Sequence, residues 1–379
     1  MKKDIQKKSR SKLLSIVRWL VLGLFLFIIF IAFSIFITNN TPFLRKNFIQ
    51  ALLPLVNNSL IAKIELEDLK FKSFNSIVIR NFKLITDGDT LVQFDELDLK
   101  IKLSQIWNNK IVIRNLYIKN PSFKFLRNPV DSIWNYDKIA YPTEDKSPPS
   151  KTPIIIIRNL FVQNGTLKLF DPLYRDTSMA FNPMDLLLTK LNIHLTANLD
   201  FDNANFYSRV HKLAFDEINT NLRIDSIKFA TNVASNFTKF DYFELSSEQT
   251  HIKLFAELLN FNPLNSKKFN QIEGARILSR INIKNLNTNF PLRFAYLPFK
   301  KNQVLSSSIS FEGSVDNLVV NINSINYQNS ELIGSTNVFF DKKKNINYNL
   351  SLYNSVINQK DINDLLDIDL SSLPKFDIV

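Results

Sequence analysis

An eight-residue pattern recurs along this chain: apolar, any, apolar, polar, polar, apolar, any, apolar. It reads IELEDLKF from Ile64, IVIRNFKL from Ile77, VQFDELDL from Val92, IVIRNLYI from Ile111, IIIRNLFV from Ile155 and LRIDSIKF from Leu222, with a near match, INIKNLNT, from Ile281. Alternation within each half is the period of a strand with one apolar face, because successive strand residues point to opposite sides. At the polar pair the apolar parity slips by one residue. Both halves stay on one face only if an extra residue is absorbed there, as in a β-bulge. Arg80-Asn81, Arg114-Asn115 and Arg158-Asn159 are therefore the bulge candidates. A turn joining two short strands is the other way to place such a pair, but Arg-Asn lacks the glycine that two-residue hairpins favour. The recurring slip predicts a sheet bent repeatedly in one sense.

The run Leu97, Leu99, Ile101, Leu103 alternates with Asp98, Lys100, Lys102 and Ser104, a further strand with one wet face. Later strand candidates are Leu186–Leu199, Leu213–Phe229, Phe240–Leu259, Ile277–Thr288, Val304–Val320, Ile333–Phe340 and Asn345–Tyr353. Asp361–Asp369 is a short helix candidate. Beyond residue 60 almost nothing else has helical period, so no helical layer is available to cover the apolar face. That leaves a sandwich, a closed barrel, or an open curved groove filled by something apolar. The expected class is mainly β, a long curved and twisted antiparallel sheet forming an open apolar groove, preceded by an N-terminal transmembrane helix. Lys138–Pro153, with Pro142, Pro148, Pro149 and Pro153, is a linker that interrupts the sheet without ending it.

The N-terminus sets the compartment. Leu20–Ile37 is a charge-free apolar run, and a hydrocarbon core of roughly 30 Å needs about 20 such residues in a helix. Residues 1–18 carry seven of the 47 basic groups and one of the 35 acids, a basic flank that marks the cytoplasmic side. The expected organisation is a cytoplasmic tail at 1–18, a span at 19–38, a juxtamembrane helix at 42–60 and a β-domain over 62–379 on the far side. A secretory signal cleaved near Ala32-Phe33-Ser34 is the rival reading. The apolar run continues past that site, which a signal sequence's does not.

The formal charge of +12 is divided evenly, +6 in residues 1–18 and +6 over the rest with signs interspersed, so it marks topology and not nucleic acid. The chain has no cysteine, which excludes disulfides, thiolate metal sites and a cysteine nucleophile. Six scattered glycines leave no dinucleotide fingerprint, P-loop or nucleophile elbow. His194, His211 and His251 fall on separate segments, and Asp361, Asp364, Asp367 and Asp369 lack the glycine and ligand order of a calcium loop. No catalytic residue, metal ligand or cofactor is assigned, and the expectation is a protein that is not an enzyme. Trp107 and Trp134 read as packing residues.

The span, the IVIRNFKL-type units, NPSFKFLRNPVDSIWNYDKIA from Asn120 and IRNLFVQNGTLKLFDP from Ile157 together resemble the amino-terminal part of the AsmA-like and TamB-like proteins of bacterial envelopes. Trp134, Asn135 and Asp137 fall where that family has a Trp-Asn-x-Asp turn, and Asn164-Gly165-Thr166 matches its strand-opening turn. The resemblance implies an inner-membrane anchor holding a periplasmic β-groove that conducts phospholipid toward the outer membrane; bridge-like lipid transfer proteins are similar in design. For TamB-like members it also implies assistance to outer-membrane protein assembly with a partner barrel. A full TamB-like chain is longer and ends in its own carboxy-terminal domain, so this chain is expected to be incomplete at its C-terminus. The residues expected to line the groove are Phe82, Leu84, Leu97, Leu99, Ile101, Leu103, Ile111, Ile113, Leu116 and Ile118.

Overall fold

The computed structural model describes residues 41–139, 152–174, 181–263, 274–314, 316–340, 346–367 and 377–378. The basic tail, the apolar run and most of the Pro-rich linker lie outside them. Among the described residues no helix is long and apolar enough to cross a membrane.

The first element is helix α1, Pro42–Asn58, opened by a proline in its first turn, where a missing N–H costs nothing. Strands follow in chain order: β1 Lys63–Glu65, β2 Asp68–Ser73, β3 Ser76–Thr86, β4 Asp89–Ile101, β5 Lys110–Lys119, β6 Ser122–Leu126 and β7 Ile154–Phe170. Next come β8 Asp185–Asp200, β9 Asn205–Glu217, β10 Leu222–Ala234, β11 Phe237–Ser247, β12 Thr250–Leu259 and β13 Arg276–Asn287. The series ends with β14 Val304–Ser314, β15 Asn317–Tyr327, β16 Ser330–Phe340 and β17 Ile346–Leu352. A short helix α2, Gln359–Leu365, follows beside the β15–β16 turn, where Asp361 accepts from Asn329 N and Ser330 Oγ.

These strands form one long, curved, antiparallel-rich sheet. β1 and β2 pair with successive parts of β3, as one edge strand broken at residues 66–67. β5 and β6 pair in the same way with β4 and are broken at Asn120-Pro121. From β7 onward each strand pairs with the next through β17.

The expectation of a wholly antiparallel sheet is corrected at one place. β7 runs parallel to both β5 and β6, with Ile113 beside Ile157 and Phe123 beside Leu167. A parallel neighbour requires the chain to travel back the length of the strand, and the segment containing the Pro-rich linker supplies that return. Three strand candidates also divide. Leu213–Phe229 turns before Leu222, with Asn221 in the left-handed region (φ 53°); Phe240–Leu259 turns at Glu248 (φ 52°); Val304–Val320 turns between Ser314 and Asn317. Polar turn residues inside an otherwise alternating run explain each break.

Helix α1 lies antiparallel to the β1–β2 edge. Arg45 Nε donates to Asp68 at 3.0 Å, and the Asn57 amide both accepts from Ile64 N at 2.7 Å and donates to Ile64 O at 3.1 Å. Asn57 thereby occupies backbone sites that an incoming strand would use, which protects this edge. At the other edge, β17 pairs only with β16 among the described residues.

Candidate functional site

The registers place apolar residues in line across the sheet. One row runs Ile77, Leu99, Leu116, Leu160, Leu195 and Val210, then continues through Phe229, Phe243, Leu254, Ile281, Ile309 and Ile322. It crosses β3, β4, β5 and every strand from β7 to β15 without a polar member. A second row lies beside it on the same faces: Ile79, Leu97, Ile118, Val162, Ile193 and Leu213, then Ile227, Leu245, Ile252 and Ile283. Ser307 interrupts it on β14, after which Ile325 and Leu332 resume it.

At about 4.8 Å per strand the first row is roughly 50 Å long. Its members are half-buried apart from the buried Val210: flanked by one another, they keep part of their surface accessible. The opposite parity carries the charged pairs, with Val78, Val112 and Ala230 buried beneath them. Arg80 pairs in register with Glu96 and their side chains meet at 3.2 Å, Lys72 reaches Asp98 at 2.6 Å, and Lys253 reaches Glu244 at 3.2 Å.

Of the residues expected to line a groove, Leu97, Leu99, Leu116 and Ile118 fall in these two rows. Ile101 and Ile113 pair with each other and continue to Ile157, and Ile111 continues to Ile155. Phe82 and Leu84 lie beyond Asn81, where Phe82 stacks on Phe94 with centroids 4.8 Å apart. Leu103 is a correction: β4 ends at Ile101, and Leu103 opens an exposed 3-10 turn, Leu103–Asn108. Trp107 in that turn is 91 % exposed and is not a packing residue. The row members on β7 to β15 were not assigned from sequence, although alternation in those strands was their signal.

The polar pairs behave in two ways. Arg114-Asn115 and Arg158-Asn159 sit at register shifts, between Lys100 and Ile101 on β4 in one case and opposite Thr196 on β8 in the other. Arg80-Asn81 causes no shift, because its partner across the ladder is the slipping pair Asp95-Glu96 of β4 and the two slips cancel. All three pairs are inside strands and none is a hairpin turn.

Asn81 on β3, Asn120 at the β5–β6 break, Asn164 on β7 and Lys190 on β8 adopt left-handed conformations with φ of 49°, 49°, 52° and 50°, while β4 between the first two stays extended. Their amides link the strands: Asn120 Nδ2 donates to Asp95 at 2.6 Å, Asn164 Nδ2 to Asn120 Oδ1 at 3.0 Å, and Asn164 N to Asn192 Oδ1 at 3.2 Å. Asparagine tolerates this region because its short amide satisfies backbone and neighbouring groups locally. The result is a polar crease across β3 to β8. Asn164-Gly165-Thr166 belongs to it, in the interior of β7, and does not open a strand.

The Trp134 region forms a cap. Trp134 bridges Arg127, and the Asn135 amide accepts from Leu126 N at 3.0 Å and donates to Lys124 O at 2.7 Å. His194 and His211, separate in sequence, stack at 4.5 Å on adjacent strands, with Phe161 on the other side of His194 at 4.1 Å. Burial, then the charge of His211, lowers the His194 pKa from its ordinary value. Among the described residues no group of three or more His, Asp or Glu is placed to hold a metal ion.

The architecture defines a mainly-β protein whose distinguishing surface is a continuous apolar strip running across its strands. Comparison with protein-family models, curated proteins and solved structures finds no match to this chain.

Proposed function

We propose that this chain is an inner-membrane-anchored periplasmic protein that carries phospholipid along the apolar strip between the inner and outer membranes of a bacterial envelope. The apolar row from Ile77 to Ile322 is the observation that supports this reading most directly. Each methylene kept out of water contributes about 0.8 kcal/mol, so acyl chains resting against an unbroken strip move along it without paying repeated desolvation. Head groups remain at the wet opening of a groove. Such transfer makes and breaks no bond.

The second reading, an assembly factor that pairs its edge with strands of client outer-membrane barrels, draws on β17. That edge, INYNLSL, has no charged residue, and Tyr348, Leu350 and Leu352 are exposed along it. The two readings differ in which atoms meet the cargo, side chains of one face or backbone of one edge.

A photo-crosslinking residue separates them. Placed at Leu99 or at Ile281, far along the same row, it captures phospholipid in living cells; placed at Glu96 or Asn282, on the opposite face, it does not. Equal lipid capture at both parities, or capture of outer-membrane polypeptides alone, sinks the conduit.

A further inference from the structure

One end of the early strands carries an apolar tip with basic flanks. Phe74, in the β2–β3 turn, is 71 % exposed, and Ile106 and Trp107, between β4 and β5, are 53 % and 91 % exposed. The two turns are neighbours, since Ile101 N donates to Asn75 O at 2.9 Å. Aromatic and aliphatic side chains held this far into water lose free energy in proportion to their apolar area, and turns do not need them for the fold. Lys100, Lys102 and Lys110 flank the tip and have no carboxylate partner among the described residues.

The opposite end of the same strands differs in charge. Val130 is 92 % exposed there, but Asp87, Asp89, Asp131 and Asp171 surround it, paired with Lys138, Lys124, Lys138 and Arg127. Of these two ends, the Trp107 end is the one where, among the described residues, exposed apolar surface lies beside lysines that form no ion pair; the carboxylate of Asp202 at that end is held by Thr152 N at 3.1 Å.

Helix α1 adds direction. With Arg45 at Asp68 and Asn57 at Ile64, its first turn points along β2 toward Phe74. In the sequence the apolar run Leu20–Ile37 stops four residues before Pro42, a stretch that reaches at most about 14 Å when extended.

We propose that this end is a lipid-docking tip: Phe74, Ile106 and Trp107 insert into the interfacial layer of an anionic bilayer, while Lys100, Lys102 and Lys110 meet its head groups. Tryptophan is suited to this depth, with an apolar body and a polar N–H, and lysine stems bury along apolar surface with their charge in water. Each lysine near an anionic surface adds attraction that salt weakens. The tip belongs to β2–β5, where the apolar rows begin, so docking sets the start of the strip against the lipid. The proposal rests on the membrane-anchored reading for its choice of surface.

The absence of cysteine from the chain makes the test direct. Full-length protein is reconstituted in phosphatidylglycerol-containing vesicles with a single fluorophore on Ile106→Cys, Val130→Cys or Ile29→Cys, and quenching by brominated phospholipid is read. The expected result is quenching at residue 106 several-fold above that at residue 130, falling with added salt and in a Lys100→Gln, Lys102→Gln, Lys110→Gln background. Quenching at residue 106 no greater than at residue 130 overturns the tip, including the case in which a soluble protein is its partner. The residue 29 label reports the anchor separately: unquenched there but quenched at 106, the tip stands and the anchor falls. Unchanged far-UV circular dichroism shows that each variant is folded.

Discussion

Glu217 ends β9 as a carboxylate only 2 % exposed, and its substitution tests how the hairpin ends of this sheet are held. Its Oε1 accepts from Leu187 N at 3.2 Å and Asn219 N at 3.1 Å; its Oε2 accepts from Thr220 N at 2.7 Å and Thr220 Oγ1 at 2.5 Å. Burial alone would raise its pKa, but the hydrogen bonds from Thr220, Leu187 and Asn219 outweigh that, so the pKa lies below the ordinary glutamate value of 4.5.

Glu217→Ala removes the acceptor for three backbone N–H groups. Asn219 is exposed and can turn to water, whereas Leu187 and Thr220 are half-buried. An orphaned buried donor costs about 1–3 kcal/mol, so the two together set the loss at roughly 3 kcal/mol. At 1.4 kcal/mol per factor of ten, amide hydrogen exchange at Leu187 and Thr220 should accelerate on the order of 100-fold. Glu217→Gln keeps one acceptor oxygen but turns an NH2 toward Thr220, for a loss of about 1–2 kcal/mol.

The pH dependence has a fixed sign. A carboxylate whose folded pKa is depressed contributes stability that is fully present above its unfolded value and is lost as pH falls through the folded one. The exchange difference between wild type and Glu217→Gln should therefore be constant near neutrality and shrink below about pH 4.5. Unchanged exchange at Leu187 and Thr220 in Glu217→Ala, or a difference that does not shrink in acid, refutes the account.

Deleting Arg114 removes the extra residue opposite Lys100 and Ile101, so Ile111 and Ile113 turn to the wet face. The expected loss is about 2–4 kcal/mol, at 1.5–3 kcal/mol per fully buried side chain scaled for two partly exposed ones, measured by urea denaturation in detergent; retained stability favours a slack local register. Asn164→Ala deletes the amide that bonds Asn120 and places a Cβ-only side chain at φ 52°, so a loss of about 1–2 kcal/mol is expected in the same measurement, with Asn164→Gly restoring part of it. Equal losses for Asn164→Ala and Asn164→Gly would show that backbone conformation is not what asparagine supplies there.

How much of this was legible in the sequence depends on whether a feature is local to one strand. Alternation is local, so the strand character of Leu97–Ile101 and the sidedness of Leu99 against Lys100 followed from the residues themselves. The parity slip is local too, but its consequence is not. Arg80-Asn81 and Arg114-Asn115 have the same dipeptide, the same apolar flanks and the same slip. They differ in what lies across the ladder: Asp95-Glu96 slips with the first, while Lys100-Ile101 continues regular alternation beside the second. A register shift is therefore a property of two strands, and a single strand's pattern cannot specify it.

The same reasoning explains the parallel step and the crease. Arg158-Asn159 lies level with Arg114-Asn115 in the parallel β5–β7 ladder, so those two slips cancel, and the shift appears only on the β8 side. Parallel pairing there keeps two identical motifs in phase, whereas an antiparallel return would have set them at different heights. The crease works by matching as well. Asn81, Asn120, Asn164 and Lys190 leave the extended region on β3, at the β5–β6 break, on β7 and on β8, and side-chain amides compensate the interrupted ladder. Where neighbours slip together, as at β3–β4, the ladder keeps its register; at Asn164 two opposite shifts cancel within the β7–β8 ladder; and where one strand slips alone it takes a bulge and more twist. The apolar rows survive both kinds of event because each returns the following half-strand to the face from which it departed. An apolar strip across so many strands thus depends on slips being paired or absorbed at every crossing, which is why the polar pairs that break the alternation are the residues that keep the strip continuous.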